Sequence, residues 1–110
     1  MASTLHCDLA IVGGGLAGGL IALAVRRQRP DLNVRLVESG ETLGGNHVWS
    51  FFAADIAPAD QWLVSRLVAH SWPGYRIRFP GLERDLAQPY YSVTSEHFDR
   101  AVRALSLIHI

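Results

Sequence analysis

The sequence predicts an α/β fold organised around a parallel βαβ unit, and three observations predict it. Leu9–Val12 is a short, uninterrupted apolar run, as expected of a parallel strand buried on both faces. A glycine-rich turn, Gly13-Gly14-Gly15-Leu16-Ala17-Gly18, follows at once and opens into a stretch with helical spacing. A second apolar run, Val34–Glu38, comes next and ends on an acid.

The helix is expected over Leu16–Gln28. Leu16, Leu20 and Leu23 share one stripe, and Ala17, Ile21 and Ala24 share the next, so the helix should pack on more than one side. Arg26, Arg27 and Arg29 collect at its C-terminal end, where cations suit the helix dipole. Pro30 prevents continuation, and Asp31 and Asn33 make the turn into the second strand.

The glycine spacing suits a pyrophosphate. Gly13 permits the tight turn, Gly15 lets the backbone approach the phosphates, and Gly18 lets helix and strand pack closely. The helix N-terminus supplies free N–H groups and a partial positive charge. Glu38 stands where an acid meets the ribose hydroxyls, and it would repel a 2′-phosphate. FAD or NAD is therefore favoured over NADP. A plain tight turn and a solvated strand end are the bland alternative, but strand, turn, helix, strand and acid all fall in register. The expected fold is a Rossmann-like FAD-binding βαβ unit of a glutathione-reductase-type flavoprotein. It is incomplete, since such a half supplies only a few strands of a larger sheet.

Downstream, Gly44 and Gly45 form a pair soon after the acid, as in the loop that returns across the dinucleotide in flavoproteins of this type. A flexible turn is the structural alternative. Asn46, His47 and Trp49 invite catalytic roles. His47 is better read as bonded to loop backbone, because no partner that would tune its pKa can be identified, and Trp49 as packed in the core. Pro58–His70 reads as a helix with Trp62, Leu63, Leu67 and Val68 on its apolar face. Tyr75–Phe79 alternates like a half-exposed strand, 81–89 is polar and turn-rich, and Tyr90–Thr94 is a further strand. Ser95 is the expected N-cap of a helix over Glu96–Arg103, with Phe98 and Val102 on its buried face.

Composition narrows the classes. The chain has 110 residues and a formal net charge of zero, and no basic cluster alternates with aromatics, so nucleic-acid binding is not indicated. The single cysteine, Cys7, excludes an intrachain disulfide and cannot alone build a zinc site; a buried, inert thiol is expected there. No metal site is expected. The charge-free stretch from Leu9 to Val25 falls short of the roughly 20 residues a bilayer requires. Residues 1–8 lack the basic start of a secretory signal. A cytoplasmic protein is expected, with peripheral membrane association left open. No repeat, low-complexity stretch or linker divides the chain.

The Asp8–Gly18 fingerprint, Leu43–Phe51, Trp72–Pro80 and Tyr90–Asp99 together resemble the N-terminal part of the bacterial lycopene beta-cyclase family, over about residues 6–103. The fingerprint is generic to flavoproteins; the later segments are more specific. The resemblance implies an FAD-containing carotenoid cyclase that closes the linear ends of lycopene into beta-ionone rings. It implies a redox-neutral isomerisation that uses reduced FAD, with NAD(P)H as reductant and lycopene or other linear carotenoids as substrate. An acid protonates the terminal double bond, a neighbouring double bond attacks the cation, and a ring proton is lost. Gly13, Gly15, Gly18 and Glu38 carry over as cofactor-binding residues, with Gly44 and Gly45 less securely.

The chain is shorter than the family's enzymes, and 104–110 does not resemble the family's continuation. A truncated product is expected: 1–103 as the N-terminal part of an FAD-binding domain, and 104–110 as a non-native tail. The family's acidic motif falls outside it, so no catalytic residue is assigned and the isolated fragment is expected to be inactive and poorly stable. An FAD-dependent monooxygenase or oxidoreductase, and a non-catalytic nucleotide-binding module, are the competing readings.

Overall fold

The computed structural model describes residues 6–105 and the backbone of 108–109. Strand β1 (Leu9–Val12), helix α1 (Leu16–Gln28) and strand β2 (Val34–Val37) follow in order, and β1 and β2 pair in parallel from Leu9 with Val34 to Val12 with Val37. The start of the ladder is tied by Asp8, whose N–H donates to the Asn33 carbonyl at 2.9 Å and whose carboxylate accepts the Asn33 N–H at 2.7 Å.

The strand β3 (Val48–Phe52) comes next, followed by two short 3-10 turns and helix α2 (Gln61–Ser65). Then come β4 (His70–Trp72), β5 (Tyr75–Phe79), β6 (Leu82–Leu86), β7 (Tyr90–Thr94), helix α3 (Ser95–Arg103) and β8 (Ile108–His109). The first sheet has the order β1-β2-β8, with β8 parallel to β2; the second is antiparallel with the order β3-β7-β4; β5 and β6 form a hairpin. Of the tail set apart at 104–110, residues 106, 107 and 110 lie outside the described residues.

Both strands of the βαβ unit bury one face, not two. Ile11, Val34 and Leu36 are buried toward α1, whereas Val12 is 85% and Val37 54% exposed on the opposite face. Nothing among the described residues covers that second face fully, so the continuous apolar run divides between core and surface. The helix follows the same logic. Its buried residues are Gly18, Gly19, Ala22 and Leu23, and the stripe through Ala17 and Ile21 faces outward. It does pack on more than one neighbour: sheet, α2 and α3. The core is one cluster in which Leu43, Leu67, Val93, Phe98 and Val102 meet Ile11, Ala22, Leu23, Val34 and Leu36.

Other expectations need correction as well. Cys7 is exposed, because the ladder begins at Leu9 and Cys7 lies before it. The helix expected over Pro58–His70 is a 3-10 turn and five α-helical residues; the chain then leaves the helix so that Ala69 N–H reaches the Ser92 carbonyl (2.8 Å) and His70 pairs with Ser92. The polar 81–89 stretch is not merely loop. Pro80-Gly81, with Gly81 at φ 76°, turns β5 into β6. Arg76 pairs across the hairpin with Glu83 and Asp85.

The hairpin's ring contacts with the rest run through Tyr75, which meets Phe52 and Tyr90, while Phe79 and Leu82 at its far end are exposed. The hairpin's strands pack mainly on each other and contribute nothing to the core cluster, so it stands out from the rest.

Candidate functional site

The turn after β1 is built by its glycines, each for a different reason. Gly13 has φ 103°, a conformation L side chains rarely adopt, and its N–H donates to the Val37 carbonyl at 2.8 Å. A Cβ on Gly18 would strike the Gly13 carbonyl oxygen, which is the close helix–strand approach the spacing predicts. A Cβ on Gly15 would meet nothing within 4 Å: the space before it is open. Gly15 is also the N-cap of α1 and offers no capping side chain, so the first N–H groups of a 13-residue helix are left for other acceptors.

Gly14, which the sequence reading passed over, joins three segments. Its N–H donates to Glu38 Oε1 at 2.9 Å, and its carbonyl accepts the Gly44 N–H at 2.7 Å. A Cβ there would strike the Leu43 side chain. Only the structure shows this, since bonds to Gly14 from Glu38 and Gly44 leave no mark on local sequence.

Glu38 follows the last residue of β2 and leans back over the turn. Its Oε2 accepts the Gly40 N–H at 2.8 Å and the Ser39 hydroxyl at 3.5 Å. The Gly40 and then the Gly14 N–H hold its carboxyl below the usual glutamate range. The carboxylate also draws on the Ser39 backbone N–H, so the turn and the residues after β2 surround it with donors.

Gly44 and Gly45 have φ of 83° and 64°, so the pair is a defined left-handed turn. A Cβ on Gly44 would press on the Phe98 ring at 2.8 Å. Phe98 also lies under Gly19 and meets Trp49 edge-on, with ring centroids 5.4 Å apart. One buried ring of α3 thus carries the helix, the glycine loop and β3.

These segments close around a cleft of about 460 Å³. Gly14, Gly15 and Leu16 line one side, Glu38, Gly40 and Thr42 the next, and Gly44, Gly45, His47 and Trp49 the other. Of the predicted site residues, Gly15, Glu38, Gly44 and Gly45 reach the cleft, while Gly13 and Gly18 shape it from behind. The lining has one acid and no lysine or arginine, so an anion bound here would rely on backbone N–H groups and the helix dipole. His47 is held through its main chain: its N–H donates to Ser95 Oγ at 3.3 Å, and its carbonyl accepts the Ser95 N–H at 2.9 Å. Its ring lies 5.7 Å from that of Trp49, which packs against the core as expected and also borders the cleft. Asn46 is exposed and not part of the lining.

Among the described residues, no group of three or more His, Cys, Asp or Glu side chains is placed to hold a metal, and no helix is long and apolar enough to cross a membrane.

Fold and site define a mixed α/β protein whose first sheet opens into a glycine-lined cleft. The chain belongs to the lycopene cyclase family: the family description "Lycopene cyclase protein" matches residues 8–107. It is 54% identical over 95 residues to a lycopene beta-cyclase of Pseudescherichia vulneris, covering 86% of this chain and 25% of that protein. The lycopene beta-cyclase of Pantoea ananas is 43% identical over 93 residues, covering 84% and 24%. That of Paracoccus sp. (strain N81106 / MBIC 01143) is 41% identical over 88 residues, covering 78% and 22%. The chain thus spans about a quarter of the length of these relatives.

Proposed function

We propose that this chain forms the N-terminal, FAD-binding part of a lycopene beta-cyclase. The observation that carries the reading is the open space in front of Gly15. It lies in a cleft bordered by an uncapped helix N-terminus, by Glu38 and by the Gly44-Gly45 turn. That arrangement suits a Rossmann-like dinucleotide site: the N–H groups of the turn take the pyrophosphate, and the Glu38 carboxylate at the cleft wall takes a ribose hydroxyl. Family membership favours the cyclase over an FAD-dependent monooxygenase or other oxidoreductase.

The reaction is the closure of a linear carotenoid end, with lycopene as substrate and no net redox change. Protonation of the terminal double bond gives a carbocation, the neighbouring double bond attacks it, and loss of a ring proton leaves the beta ring. FAD held by the Gly15 turn, Glu38 and the Gly44-Gly45 turn would, in its reduced form with NAD(P)H as reductant, supply negative charge that stabilises such a cation in a water-excluded site. The residues of this chain hold the dinucleotide; none is assigned to proton transfer. Lycopene partitions into membranes, so peripheral membrane contact belongs to the same proposal.

Titration with FAD of a family-length enzyme carrying these residues, followed by flavin fluorescence, tests the binding reading. One-to-one binding that Gly15→Val weakens supports it; binding unaffected by Gly15→Val would sink it. Lycopene conversion by a family-length enzyme carrying these residues tests the cyclase reading.

A further inference from the structure

The loop that carries Gly44 and Gly45 is held from a distant helix. Asp99 of α3 accepts the Leu43 N–H on Oδ1 at 2.7 Å, and the same oxygen accepts Arg103 Nε at 2.9 Å. Arg103 extends further, and one of its terminal N–H groups donates to the Glu41 carbonyl at 2.8 Å. The pair therefore binds a main-chain donor and a main-chain acceptor two residues apart. Leu43 is fully buried, and the next residue, Gly44, donates to the Gly14 carbonyl at 2.7 Å. A continuous path of hydrogen bonds runs from α3 through residues 41–44 to the fingerprint turn. Neither Asp99 nor Arg103 lines the cleft.

We propose that Asp99 and Arg103 are positioning residues that preset the 41–45 loop against the Gly14 turn, and thereby set how tightly the cleft holds a dinucleotide. The binding half of this inference rests on the FAD reading above. The physical reason is preorganisation. A loop containing two left-handed glycines has many alternatives in the free chain, and ordering it on binding would cost affinity. The Asp99–Arg103 pair orders it beforehand, through charge-assisted bonds to groups that local structure leaves unpaired. Partial burial works against ionisation of Asp99, but the Leu43 N–H and Arg103, with a smaller contribution from Arg100, hold its carboxyl below the usual aspartate range.

The experiment pairs hydrogen–deuterium exchange with FAD titration in a family-length enzyme carrying these residues, for the parent and for Asp99→Asn, Arg103→Gln and Arg103→Lys. Asp99→Asn keeps the side-chain shape and guards against simple misfolding. Exchange at the Leu43 and Gly44 amides should rise about tenfold in Asp99→Asn and Arg103→Gln, the size expected for losing one charge-assisted bond. The Ile11 and Gly13 amides should stay unchanged. FAD affinity should fall by about the same factor, and Arg103→Lys, which keeps a donor for the Glu41 carbonyl, should recover part of both. Unchanged exchange at Leu43 and Gly44 overturns the clamp. So does a rise shared equally with Ile11 and Gly13, which would mean general destabilisation. If the parent binds no FAD, the FAD reading falls and the binding half of this proposal falls with it, while the exchange data still decide the clamp.

Discussion

At Gly15 an added Cβ meets nothing within 4 Å, whereas at Gly18 it meets the Gly13 carbonyl oxygen. The two glycines should therefore fail differently. Gly15→Val should leave the urea midpoint nearly unchanged and weaken FAD binding, because its side chain would fill the open space. Gly18→Ala should destabilise by about 1–3 kcal/mol, since a backbone oxygen cannot move aside as a side chain can; urea unfolding measures it. Glu38 gives a pH prediction. Its folded carboxyl is held below the ordinary value of 4.5 by the Gly40 and Gly14 N–H groups. The stabilisation is complete above that value and is lost as pH falls through the lower folded one. Glu38→Gln should therefore flatten the acid limb of the stability curve; an acid limb identical to the parent's would show that the two bonds contribute nothing. The sequence located Glu38 through its distance from the glycines. It did not reveal that the carboxylate holds Gly14 and Gly40, because those bonds depend on the chain folding back.

Among the elements, α3 couples the second half of the chain to the cleft. Its N-cap is Thr94, whose hydroxyl accepts the His97 N–H at 3.2 Å. The neighbouring Ser95, expected to be the cap, instead takes the His47 N–H. Both residue types suit a cap, so sequence could not choose between them; the His47 loop decides. Thr94→Ala should cost about 1 kcal/mol, seen as a lower thermal midpoint. Phe98→Ala should cost about 3–5 kcal/mol, because it removes a ring of 0% exposure that supports Gly19, Gly44 and Trp49 at once. The strands β1, β2, β5 and β7 were legible from apolar runs or alternation. β6 was not, because its outward residues Glu83, Arg84 and Asp85 carry charge and no apolar rhythm. β3 was not, because no element was read between the Gly44-Gly45 pair and Pro58, and its pairing with β7 depends on residues distant in the chain.

Across the whole molecule, exposed apolar surface is the main liability. Val12 and Val37 lie open on one face of the first sheet, and among the described residues β1 pairs on one side only. We expect the chain by itself to unfold at low urea and to bind a hydrophobic dye while native; a steep transition at high urea without dye binding would contradict this. Val12→Thr with Val37→Thr should reduce dye binding yet shift stability by no more than about 0.5 kcal/mol per site, as for other exposed positions.

The sequence by itself determined the βαβ order, the ends of α1, the glycine turn and the family. These depend on residues close in the chain: spacing within a turn, period within a helix, and apolar runs. The tertiary structure decided which strand faces are buried, where the helix after Pro58 stops, and that Gly14, Glu38, Gly44 and Asp99 belong to one assembly. Each depends on hydrogen-bond partners or covering surface tens of residues away, and no local pattern encodes the partner of a backbone N–H.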